Sequence, residues 1–129
     1  MLKQISVALI ICLLTSLAMA AGSGALTDKG IKSAGSSMAF LDMCELAGLA
    51  PAGISDRYKG AARDGLTRAY WEAVERQYRA SLNERMFYLV SKDQWLPFDV
   101  EPVACQQIEK VSEQLIINYE ELAKLAEEE

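Results

Sequence analysis

The sequence predicts an all-α fold, a small antiparallel bundle of three or four helices pinned by one disulfide. Three observations predict it. Residues 66–90, LTRAYWEAVERQYRASLNERMFYLV, place Leu66, Tyr70, Val74, Tyr78 and Leu82 at helical spacing, with Trp71 beside them. Opposite this stripe runs a ladder of charges, Asp64, Arg68, Glu72 and Arg76, with Glu75 and Arg79 alongside. The C-terminal stretch repeats Ala104, Ile108, Val111, Leu115, Asn118, Leu122 and Leu125 on a heptad. Beyond residue 20 two cysteines remain, Cys44 and Cys105, and in a small exported domain such a pair reads first as a disulfide. That bridge closes a loop of about 60 residues and contributes roughly 4 kcal/mol on the chain-entropy model.

Export is read from residues 1–20, MLKQISVALIICLLTSLAMA. One base, Lys3, precedes an apolar run from Ile5 to Leu14, and Ala18-Met19-Ala20 supplies the small residues of a cleavage site. The run is shorter than the roughly 20 apolar residues of a spanning helix, so cleavage after Ala20 is expected, with no stable membrane anchor afterwards. Ile11 before Cys12 does not suit lipid attachment, where a small residue is wanted. A periplasmic or secreted location follows.

Residues 21–36, AGSGALTDKGIKSAGS, are rich in Gly, Ala and Ser and read as a flexible N-terminal arm with a helical tendency around Thr27 to Ala34. Their Gly-rich end superficially echoes a phosphate loop, but Ser36 stands where the lysine belongs. The helical domain is then 37–129. A first helix is expected from Ser37, with Met38, Leu41, Phe40, Met43 and Cys44 as core candidates, closed by Gly48 and Pro51. Ser55 reads as the cap of a second helix, with Asp56 in its first turn. Unbroken to Ser91 that helix would be about 54 Å long, so a break is expected near Gly65. The run Met86–Val90, apolar on all sides, reads as helix buried on every face.

The stretch 93–99, DQWLPFD, reads as a loop whose Trp95, Leu96 and Phe98 are candidate partner-binding residues. Against that stands a structural role: Asp99 capping the last helix and Phe98 stapled to Val103, with Pro102 in the first turn. In the last helix Cys105 and Tyr119 flank the heptad seam, and Glu120 pairs with Lys124 at i, i+4. The stripe of Tyr70, Trp71, Val74 and Tyr78 is filled core, one wall of a groove or the lining of an enclosed cavity.

The chain has no histidine, which removes Ser-His-Asp and Cys-His nucleophilic sites, histidine-ligated haem and the common catalytic zinc centres. Glu72 and Glu75 lack the histidine of a di-iron pair and face Arg76 and Arg79. No catalytic residue, cofactor or metal is therefore expected, and the protein is not read as an enzyme. The exported part carries twelve basic and 18 acidic residues, a net charge of −6, which disfavours nucleic acid and anionic membrane as primary partners. The charge is lopsided: residues 56–92 hold eight bases and five acids, residues 93–129 two bases and ten acids. Around the cysteines, Met43-Cys44-Glu45 and Val103-Ala104-Cys105-Gln106 resemble the periplasmic acid-stress chaperones, small helical proteins poor in histidine and joined by one disulfide. The span between the cysteines is longer here and the Arg- and Tyr-rich helix has no counterpart, so membership does not follow. The expected function is a non-enzymatic periplasmic protein-interaction module: a chaperone, an inhibitor or immunity-type binder, or a secretion accessory. The alternative is a carrier of a small apolar ligand within the bundle.

Overall fold

A computed structural model describes residues 27–128; the signal segment lies outside the described residues. The described residues are mostly helical, with four α-helices and one small two-stranded sheet. In order these are α1 (Asp28–Leu46), α2 (Ile54–Gly65), α3 (Arg68–Glu84), β1 (Met86–Leu89), β2 (Gln94–Pro97) and α4 (Pro102–Glu128). Cys44 and Cys105 are joined, with their Cα atoms 5.6 Å apart.

The first helix begins at Asp28 and not at Ser37, so residues 28–36 belong to the bundle rather than to an arm. Thr27 starts it: its side-chain oxygen accepts from the Gly30 amide at 3.1 Å, and Asp28 places a negative charge in the first turn. Gly30, Ser33, Ala34, Gly35, Ser36 and Ser37 are all buried. These small side chains give no apolar period, yet they let another helix come close. A Cβ at Gly35 would lie 2.6 Å from the Gln77 Cβ and 2.9 Å from the Tyr78 amide nitrogen, so only glycine fits against α3. Further on, Met38, Ala39, Phe40, Leu41 and Cys44 continue the burial, and α1 packs against α2, α3, α4 and β1. It is the central helix. The helix ends as the sequence implies: Gly48, at φ 75°, donates to the Glu45 carbonyl and Leu49 to the Cys44 carbonyl, a paired arrangement that satisfies the last carbonyls.

The predicted break near Gly65 is present. Helix α2 stops there, Leu66 is extended, and Thr67 caps α3 by accepting from the Tyr70 amide at 3.4 Å. A Cβ on Gly65 would meet the Tyr119 carbonyl oxygen at 2.5 Å, so this glycine serves the packing of α2 on α4 as well as the break. The start of α2 differs from expectation. Gly53, at φ 87°, takes the capping position without a side chain to offer, and Ser55 lies inside the helix. The acceptor comes from outside: Glu45 of α1 receives the Ser55 amide at 3.0 Å.

Residues 86–89 are strand rather than α-helix, and Val90 opens a single 3-10 turn over Val90–Lys92. Arg85 turns left-handed (φ 58°) and closes α3 on the Ser81 carbonyl, and the chain leaves as β1. It pairs antiparallel with β2 in the register Met86–Pro97, Phe87–Leu96, Tyr88–Trp95 and Leu89–Gln94. The expected loop at 93–99 is therefore largely a strand. A run that is apolar on every side fits a strand as well as a buried helix, and its aromatic content favours the strand.

In α4, Pro102 is the first helical residue and the Cys105 amide bonds the Glu101 carbonyl, so the chain enters the helix at Glu101 rather than at Asp99. The buried face is Cys105, Ile108, Val111, Ser112, Leu115, Ile116 and Tyr119. The heptad seam holds through Leu115 and then turns aside: Leu125 is 58% exposed while Ile116 is buried. Val103 is exposed and does not staple Phe98, which packs on Phe40 instead.

Gly35→Ala and Gly65→Ala each force a methyl into backbone or a fixed Cβ. Each is expected to cost about 1–3 kcal/mol, read as a lowered midpoint in thermal unfolding followed by circular dichroism.

Candidate functional site

Two groups of side chains stand out, one polar and one aromatic. The polar group sits where α1, α2 and α3 meet. Asp42, mid-way along the apolar run FLDMCEL, points one carboxylate oxygen at the Ser55 hydroxyl and the other at the Tyr78 hydroxyl, both of which donate to it. Lys59 donates to the second oxygen at 3.1 Å and lies over the Tyr78 ring at 4.5 Å. Burial and then the hydrogen bond to Asp42 push the Tyr78 phenol above its ordinary value. Lys59 is held above its usual value by its bonds to Tyr78 and Asp42, which outweigh a larger single effect of burial in the other direction. Every member is partnered within the group, so the arrangement joins three helices and leaves no group poised for proton transfer. Asp42 and Lys59 went unnoticed in the pattern of apolar residues. An acid inside a buried apolar run, with a base on the next helix, is the signal that would have found them.

The aromatic group is the hairpin and its support. Phe40 of α1 meets Phe87 of β1 edge-on at 5.5 Å and Phe98 at 5.3 Å. Phe98, a candidate partner-binding residue, is thus committed to the core. On β1, Tyr88 is buried, its amide donates to the Ser36 hydroxyl at 3.0 Å, and its own hydroxyl donates to Asp93. Trp95 stands opposite Tyr88 with ring centroids 5.1 Å apart, and Lys32 of α1 lies 5.6 Å from the Tyr88 ring. Trp95 is half-buried; Leu96 is 39% exposed and Pro97 is exposed.

Both edges of this small sheet are partly blocked. The Phe98 amide bonds the Arg85 carbonyl, so in an antiparallel ladder Phe87 and Leu96 exchange the next bonds, while Tyr88, Trp95 and Pro97 face outward. The outward Tyr88 amide is taken by Ser36. On the other edge Pro97 has no amide hydrogen to give.

The remaining sequence candidates are distributed as follows. Val74 is fully buried; Tyr70, Trp71 and Tyr78 are partly buried and packed against the core. Together they pack along one flank of the core. Glu120 pairs with Arg57 of α2 at 3.7 Å rather than with Lys124, whereas Arg68–Glu72 and Arg79–Glu75 do pair along α3. Among the described residues, no group of three or more His, Cys, Asp or Glu is placed to hold a metal ion, and no helix is long and apolar enough to cross a membrane.

Phenols dominate the titration of this fold. Burial, and then the neighbouring Tyr119, holds Tyr58 well above 10.0. Burial also pushes Tyr119 up to about 12. Tyr88 is raised to about 12, first by its bond to Asp93 and then by burial, and the same bond lowers the Asp93 carboxyl. A phenol whose pKa is raised by folding contributes stability that is intact below pH about 10 and lost as pH climbs toward about 12. Absorbance at 295 nm on raising the pH is expected to show Tyr58, Tyr78, Tyr88 and Tyr119 ionising late and together with loss of the helical signal. Asp42→Ala, which strips an acceptor from three donors at once, is expected to cost about 2–3 kcal/mol; urea unfolding measures it. No family model matches this chain, and no curated protein or solved structure matches it significantly.

Proposed function

We propose that this chain is an exported, non-enzymatic interaction module of an oxidising compartment such as the bacterial periplasm, and that it engages a protein partner through the Trp95–Leu96–Pro97 strand. The observation that carries the reading is the hairpin: half-buried and exposed apolar side chains sit on a support made rigid by Phe40, Phe87 and Phe98. A binding surface gains affinity when its anchors are held in place before the partner arrives. Trp is among the residues most often found to dominate such contacts. Leu96 and Pro97 extend the apolar surface beside it.

Support for export comes from the apolar run and small residues of 1–20 and from the disulfide, which persists in oxidising surroundings. The chemistry available points away from catalysis: there is no histidine, and the half-buried carboxylate Asp42 is held by three donors. A carrier of an apolar ligand gains less support. The hollows along α2 and α4 are open and edged with Arg57, Asp64, Glu113, Glu120 and Lys124.

Trp95→Ala and Leu96→Asp are expected to reduce recovery of a cross-linked periplasmic partner by about tenfold or more, with thermal unfolding little changed. Recovery that is equal for the wild type and both variants would sink the assignment to this strand.

A further inference from the structure

Helix α4 has 27 residues, about 40 Å at 1.5 Å per residue, and one side of it packs on α2 and α1. The side turned away carries a second heptad. Lys110, Ile117 and Lys124 recur at seven residues, and Gln107, Gln114 and Glu121 recur at seven between them. The alternating steps of three and four are the spacing with which one helix lies along another. None of the six is buried: the two glutamines are half-buried and the other four exposed, Ile117 by 48%. Lys110 and Glu121 have no ion-pair partner in their own chain among the described residues.

This face is complementary to itself. On an antiparallel second copy, with the two-fold axis midway between positions 115 and 116, all three layers of the heptad meet. Gln114 lies against Ile117 of the second copy, Lys110 against Glu121 and Gln107 against Lys124, and the symmetry repeats each contact. An uncharged centre is thus flanked by opposite charges at both ends. Other arrangements are worse. Moving the axis onto Ile117 sets Lys110 against Lys124 and Glu113 against Glu121, and a parallel pair sets every charge against its own kind, so charge selects a single register. At the rim stand two further acids, Glu113 and Glu120. Arg57 pairs with Glu120 at 3.7 Å and lines the same hollow as Glu113, so its charge offsets theirs. We propose that α4 pairs antiparallel with α4 of a second copy, forming a two-fold dimer centred on Gln114 and Ile117 and clamped by two Lys110–Glu121 pairs. One helix from each copy makes a contact at or below the roughly 1,200 Å2 of the smallest stable interfaces, so the dimer is weak and depends on concentration. Trp95 and its hairpin take no part in it, and the partner assigned to the hairpin does not depend on it.

Sedimentation equilibrium of the purified, disulfide-bonded protein at neutral pH, over about 1 μM to about 1 mM, is the test. A reversible monomer–dimer equilibrium is expected. Ile117→Asp, Lys110→Glu and Glu121→Lys are each expected to weaken it by about tenfold or more. The double reversal, Lys110→Glu with Glu121→Lys, restores the opposite charges in this register alone and is expected to bring dimerisation back to within about threefold of the wild type. A general loss of folding or solubility would not be mended by a second surface change. Trp95→Ala is expected to leave the dimer intact. A monomer at every concentration, a dimer indifferent to Ile117→Asp, a double reversal no stronger than its two single variants, or dissociation by Trp95→Ala would each overturn the proposal.

Discussion

Two helix backbones approach at Gly35 so closely that a methyl group there would touch the Gln77 Cβ, and the rest of the structure is arranged around that contact. Buried Gly30, Ser33, Ala34, Gly35, Ser36 and Ser37 give α1 almost no side-chain bulk on its first three turns. Small residues lose little rotamer freedom on burial, so their packing against α3 sacrifices little entropy. With large apolar groups absent from this end, the area removed from water must come from elsewhere. It comes from the second half of the same helix, where Met38, Phe40 and Leu41 reach α2, α4 and the hairpin. A helix surrounded on every side cannot be amphipathic, and α1 is not.

The last turn of α1 fixes its neighbours by a different kind of force. Asp42 accepts from Ser55, Lys59 and Tyr78, tying α2 and α3. Two residues on, Cys44 holds α4 covalently. Next, Glu45 supplies the acceptor that Gly53 lacks for the start of α2. Three side chains within one turn therefore reach all three other helices. Apolar packing alone is permissive about register, because neighbouring rotamers can trade places at small cost. Directed bonds and a disulfide are not. The polar turn is what selects one arrangement of these helices from the several that would bury the same side chains.

The sequence made some of this legible. The disulfide, the break at Gly65, the heptad up to Leu115 and the partial burial of the Tyr70–Tyr78 stripe all follow from spacing and from cysteine count. What it hid shares one cause: burial without hydrophobicity. Residues 28–36 looked like a flexible arm because serine and glycine carry no apolar period, although they form a close helix–helix interface. Asp42 carries no signal in the pattern of apolar residues. Met86–Val90 failed for the opposite reason, since a run apolar on every side has no period to read, and the left-handed turn at Arg85 that decides for a strand is not favoured by arginine itself. Phe98 could be placed at the base of the hairpin only once Phe40 was known to face it.

These same features bear on how the molecule meets others. A two-stranded sheet on the side of a helical body is ordinarily a hazard, because a free edge recruits another strand. Here the inner edge is taken by Ser36 and the outer edge is blunted by Pro97. The blocking residue is also one of the exposed apolar groups, so the position that prevents indiscriminate pairing is itself part of the displayed surface. Under the proposed function, recognition at this place works mainly through side-chain shape, with Leu96 and the rim of Trp95 entering a partner's hollow. Contacts of that kind discriminate by fit. Discrimination needs the displayed groups to hold still, and the close packing of β1 on the small-residue end of α1 is what holds them.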